Sequence, residues 1–225
     1  MSKKILVPTD FTSVGDTAIQ HAVSVSQAIA AEIFVLHVIA EKKFISEARL
    51  KIDTLAQRVK AEYGIKVETM IRIGSIFEDI DAVATEIDAT LIIMGTHGLR
   101  GMQFLTGGRA LRIVTDSTIP FIIVQEKGIS SNGYDDIVVP LDLHKETKQK
   151  LNLVASMAKY FNSKVYLVSP GETDEYFKNQ LERNINYAKQ FLSEREITFE
   201  VHITEKKSSS FGPAVVEYAK SVDAD

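Results

Sequence analysis

The sequence predicts an α/β protein: a doubly wound parallel sheet of five strands, built once in full and then begun a second time. Three observations predict it. Short continuous apolar runs alternate five times with stretches of helical period over residues 1–127, the pattern of strands buried on both faces and joined by crossover helices. The fourth run, Leu91 to Met94, stops at a glycine loop. Shifting the chain by 132 positions lays Pro140 on Pro8, Asp142 on Asp10, Val165 on Ile33, Glu200 on Glu68 and Ile203 on Ile71 without a gap, the mark of an internal repeat.

The elements follow in order. Lys3 to Asp10 is a buried strand, Ile5, Leu6 and Val7, closed by Pro8, Thr9 and Asp10. A carboxylate at the carboxyl end of a parallel strand stands where open α/β sheets hold ligands, although Asp10 could equally cap the loop or the next helix. A helix over about 13–31 carries Ala18, Ile19, Ala22, Val23, Val25 and Ile29 at near-helical spacing. Ile33 to Glu41 is a second central strand; its His37 lacks a partner at metal-ligand spacing and reads as packed or hydrogen-bonded. A charged amphipathic helix over about 46–63 ends at Gly64, a good C-cap. Lys66 to Ile73 alternates apolar and polar positions, which suits an edge strand. A third helix covers about 76–87. After the glycine loop and its helix, Phe121 to Val124 forms the fifth strand, which Pro120 confines to an edge.

The loop is the most informative stretch. Gly95, Gly98, Gly101, Gly107 and Gly108 precede a helix start at Arg109, Ala110 and Leu111. Strand, glycine loop and helix start can aim free backbone N–H groups and the positive end of a helix dipole at an anion, phosphate above all. The spacing Gly95, two residues, Gly98, nine residues, Gly108 resembles that of the nucleotide-binding members of the universal stress protein family. The strand before the loop and the strand after it are also similar to that family. The family pattern closes with Ser or Thr, whereas this chain has Arg109.

The resemblance implies strand order 3-2-1-4-5, an adenine-nucleotide hydrolase-like sheet that sets Asp10 beside Gly95. It implies ATP or a related adenine nucleotide, with Mg²⁺ carried on the phosphates. Pro8, Thr9 and Asp10 would lie along the adenosine, Val38 and Met94 would border the base, and Gly95, Gly98, Gly108, Arg109 and Ala110 would face the phosphates. Arg109 could grip phosphate as a bidentate cation, fill the pocket, or point to solvent. Hydrolysis is at most slow by this resemblance. The family also pairs last strands between domains, so Phe121–Val124 is expected to join a homodimer or two domains of one chain. The alternative is a dimeric scaffold protein that binds no nucleotide. An enzyme of a related fold lacks support: no Walker GlyLysSer/Thr occurs, and ProThrAspPheThr stands where a pyrophosphatase loop would be.

Residues 128–133 read as a linker, 1–127 as the complete domain and 134–225 as a partial second one. The second copy reaches Val222, Asp223 and Ala224, which fall on Ile87, Asp88 and Ala89, and has no counterpart of Thr90 to Lys127. Either the chain is cut short or a partner supplies two strands. No ligand is expected there: Pro170 replaces the adenine-side backbone donor and the glycine loop is missing. Composition agrees with a cytoplasmic protein that binds neither nucleic acid nor membrane. It has 45% hydrophobic and 25% charged residues and a net charge of −4, with no broad basic surface. No apolar run nears membrane-spanning length. Absence of cysteine removes disulfides, thiolate zinc sites and thiol catalysis.

Overall fold

The computed structural model describes residues 2–96, 114, 117–130, 132–143 and 147–225, without the side chains of 77 and 147–149. Two compact units divide between Ile129 and Ser130.

The first unit is a five-stranded parallel sheet in the order β3-β2-β1-β4-β5. Its elements are β1 (Lys3–Pro8), α1 (Ser13–Ile29), β2 (Ala31–Ile39), a short 3₁₀ turn, α2 (Ile45–Tyr63), β3 (Val67–Ile73), α3 (Ile76–Glu86), β4 (Leu91–Gly95) and β5 (Phe121–Val124). The order puts β3 and β5 at the edges, where alternation in the one and Pro120 before the other had pointed. Side-chain alternation splits the core into two layers. Leu6, Leu36, Ile92 and Met94 pack against Ile80, Val83 and Ala84 of α3. Ile5, Val7, Ile33 and Val35, fully buried, point the other way.

Helix α1 ends two residues before the sequence suggests. Ala30 adopts the left-handed conformation, φ 52°, and its N–H bonds the Ser26 carbonyl, so Ala31 already belongs to β2. The second unit makes the same stop at Asn162, φ 56°. Gly64 (φ 70°) and Glu196 (φ 58°) match at the same shift, and Asp88 (φ 56°) matches Asp223 (φ 51°) three residues further along. The repeat thus extends to the backbone turns that end its helices.

The second unit has β6 (Asp136–Pro140), α4 (Thr147–Phe161), β7 (Lys164–Ser169), α5 (Glu175–Ser193), β8 (Phe199–Ile203) and α6 (Phe211–Ser221). Its strands are parallel in the order β6-β7-β8. Leu151, Ala155 and Ala158 of α4 and Ile185, Ala188 and Leu192 of α5 close over Val139, Val165 and Leu167. Tyr218 of α6 stacks on His202, ring centroids 4.2 Å apart.

Among the described residues, no strand pairs with the outer side of β6. In the first unit the Thr90 N–H donates to the Lys4 carbonyl at 2.8 Å where β4 joins β1. The matching bond is present in the second unit, from the Asp225 N–H to the Asp136 carbonyl at 3.1 Å. The Asp225 carboxylate also accepts from the N–H groups of Asp135 and Asp136. Pro140 has no N–H to offer, so this edge is blunted by one carboxylate and one proline.

Candidate functional site

Strands β1 and β4 are parallel neighbours, with Ile5 opposite Leu91 and Leu6 opposite Ile92. They therefore leave the sheet at the same end, carrying Pro8, Thr9 and Asp10 on one side and Met94 and Gly95 on the other. The first turn of α1 is wedged between them. A Cβ on Gly95 would lie 2.4 Å from the Val14 carbonyl oxygen, and one on Gly15 would lie 2.9 Å from Thr9 Oγ1 and 3.3 Å from Asp10 Oδ1. The approach at Gly95 requires glycine, because its obstacle is backbone and cannot turn aside, whereas at Gly15 the neighbours are side-chain oxygens.

The β1 loop is held by its own polar groups. Thr9 is buried. Its N–H donates to the Leu36 carbonyl at 2.8 Å, and its hydroxyl accepts from the Phe11 N–H at 3.1 Å. Asp10 Oδ1 accepts from the Thr12 N–H at 3.0 Å and the Thr12 hydroxyl at 2.6 Å. Thr12 in turn caps α1, accepting from the Gly15 N–H at 3.4 Å. Asp10 itself is exposed, and its second oxygen has no partner among the described residues.

The loop is also tied to β2. His37 Nδ1 donates to the Thr9 carbonyl at 2.8 Å, which fixes the proton on that nitrogen. Its ring lies 4.4 Å from that of Phe11. His37 is therefore hydrogen-bonded and packed, and among the described residues no group of three or more His, Cys, Asp or Glu could hold a metal. Val38 pairs with Arg72 in the sheet. The Val38 and Met94 side chains belong to one apolar cluster with Leu6 and Leu36. Of the residues named from sequence, Gly98, Gly101, Gly107, Gly108, Arg109, Ala110 and Leu111 lie outside the described residues.

A family model, the universal stress protein family, matches residues 1–125 of the chain. The chain belongs to the universal stress protein family. Universal stress protein MJ0577 of Methanocaldococcus jannaschii is 27% identical over 158 residues, covering 56% of this chain and 97% of its own. Universal stress protein G of Salmonella typhimurium is 25% identical over 143 residues, 56% of this chain and all of its own. A solved universal stress protein from Archaeoglobus fulgidus superposes on the whole chain and 83% of its own with a TM-score of 0.77 at 19% identity, a likeness of fold.

For a universal stress protein, sequence reasoning found the two strand ends and missed what joins them. Gly15, Val14 and Phe11 were not singled out. A glycine in the first turn of a helix, where it weakens propensity, was the available signal for Gly15. Phe11 and Val14 carried none, because ordinary apolar residues are distinguished only by where the chain turns.

Proposed function

We propose that the first unit is a regulatory module that binds an adenine nucleotide, ATP in the first instance, across the carboxyl ends of β1 and β4. The observation that carries this reading is the convergence of Asp10 and Gly95 on the first turn of α1. The residues there suit a nucleoside. Asp10 retains a carboxylate oxygen beyond its turn bonds, able to accept from a ribose hydroxyl. Pro8 and Thr9 hold that carboxylate at the strand end, and Val38 and Met94 supply apolar flank for a base. Gly98, Gly108, Arg109 and Ala110 would offer N–H groups and one cation to phosphates. Mg²⁺ would ride on those phosphates, held chiefly by phosphate oxygens and water. These residues bind and orient; none is assigned a catalytic step.

A second reading, a scaffold that works by strand pairing and takes no nucleotide, is favoured by β5, an edge strand whose Ile123 is 42% exposed. The melting temperature of the purified protein separates the two. Binding by the native state alone stabilises by about 2.7 kcal/mol at a hundredfold excess of ligand over Kd. An unchanged melting temperature with millimolar ATP and magnesium sinks the nucleotide reading and leaves the scaffold. Arg109→Ser then sorts the arginine: tighter ATP binding in the variant means the side chain blocks, weaker binding means it grips phosphate.

A further inference from the structure

A cleft of about 410 Å³ opens between the start of α1 and the middle of α2, beside the β1 loop. Its apolar wall is Phe11, Leu50 and Leu55; its charges are Lys51, Arg58 and Asp16. We propose that this cleft is a binding site for a small aromatic carboxylate, with the ring on Phe11 and the carboxylate toward Lys51 and Arg58. The volume lies within the range of small-molecule sites, which are mostly apolar with a few placed polar groups.

Three features select that chemistry. The wall is apolar: Leu55 is 5% exposed, and Leu50, 70% exposed, forms the rim. Phe11 adopts a left-handed backbone conformation, φ 63°. That geometry is strained for a bulky residue and persists only where the surroundings enforce it. Here the Thr9 hydroxyl and the His37 ring enforce it, and the result is an aromatic ring lining the cleft. Lastly, the lining carries two cations, Lys51 and Arg58, each held by a solvent-accessible carboxylate, Glu47 and Asp16, for which a ligand carboxylate could substitute.

Lys51 can turn to a ligand at small cost, and Arg58 can share the donors it does not give to Asp16. Lys51 pairs with Glu47, one turn back and outside the cleft, with both side chains more than half exposed. Such pairs contribute little to stability and are readily exchanged. Arg58 pairs with Asp16 through two of its nitrogens, and a guanidinium has five N–H donors. The Thr54 hydroxyl gives its proton to the Leu50 carbonyl, 2.7 Å away, and so has no donor left to compete with the two cations for a ligand carboxylate. The proposal does not rest on nucleotide binding, since Asp10 and Gly95 take no part in this wall.

The test is a titration of the nitrogen-15-labelled full chain, free of nucleotide, with 2-naphthoate, read by amide chemical shifts. The expected result is saturable shifts confined to residues near Phe11 and to α2 around Leu50–Arg58. Lys51→Gln is expected to weaken binding about twofold to fivefold, the range of an exposed charge contact. Phe11→Gly removes the ring and the backbone strain together and is expected to abolish saturation; Leu50→Ser, at an exposed rim position, gives the same test without touching the fold. Shifts that do not saturate, or that centre on other residues, overturn the site. Equal affinity for neutral 2-naphthylmethanol overturns the carboxylate assignment.

Discussion

Gly95 faces the backbone carbonyl of Val14 so closely that a Cβ would stand 2.4 Å from its oxygen. The first glycine of the loop motif is therefore required by the seating of α1 on β4, before any ligand is considered. Gly95→Ala should lower the stability of the first unit by roughly 1–3 kcal/mol in nucleotide-free protein, the usual cost of overpacking. Urea unfolding followed by a probe in that unit measures it. An unchanged midpoint would mean that α1 can shift away and that the glycine serves the loop alone.

His37 links the end of β2 to the Thr9 carbonyl. His37→Leu keeps apolar volume but strands a partly buried carbonyl, a loss of about 1–2 kcal/mol. Amide exchange at residues 9–12 should quicken in the same variant, because the tie that holds the β1 loop is gone.

Asp10 closes a turn on Thr12. Asp10→Asn keeps a carbonyl oxygen for that turn, whereas Asp10→Ala removes it and should cost about 1 kcal/mol, as lost capping acceptors do. The asparagine variant therefore isolates the carboxylate's charge. The expected outcome is near-native urea stability for Asn with a smaller thermal shift by ATP than the native chain.

Gly171 makes a different close approach in the second unit, just past β7, where a Cβ would lie 2.4 Å from the carbonyl oxygen of Thr204, just past β8. Gly171→Ala should destabilise the second unit by roughly 1–3 kcal/mol and leave the first unit's transition in place. Separate fluorescence or exchange probes in each unit would read the two.

Tyr134 is buried against Phe161, and burial first, then the Asp225 carboxylate, drives its hydroxyl well above the ordinary tyrosine value of about 10. In the unfolded chain the hydroxyl ionises at its ordinary value. The stabilisation is thus fully present below about pH 10 and is lost as pH rises beyond it, because the unfolded state releases its proton first. The urea midpoint of the second unit should hold up to about pH 10 and fall progressively as pH rises above it. Tyr134→Phe should flatten that fall.

The architecture was legible because its signals are local. Five apolar runs, Gly64 as a cap, and Pro120 before an edge strand each follow from one stretch of chain. The repeat was legible from Pro8 and Pro140, Asp10 and Asp142. The left-handed stops at Ala30 and Asn162 were not. Asparagine favours that conformation and alanine does not, so Ala30 in particular carried no signal; the demand there comes from turning out of α1 straight into β2.

The candidate site divides the same way. Sequence alone determined the family, the two strand ends and the glycine spacing, since each depends on residue types at fixed separations. Only the tertiary structure decided that α1 stands between Asp10 and Gly95, that His37 anchors Thr9, and that Phe11 turns into a cleft with Leu50 and Arg58. Those relations join residues tens of positions apart. They are set by how closely two backbones approach and which way a loop turns, quantities that no single stretch of sequence carries.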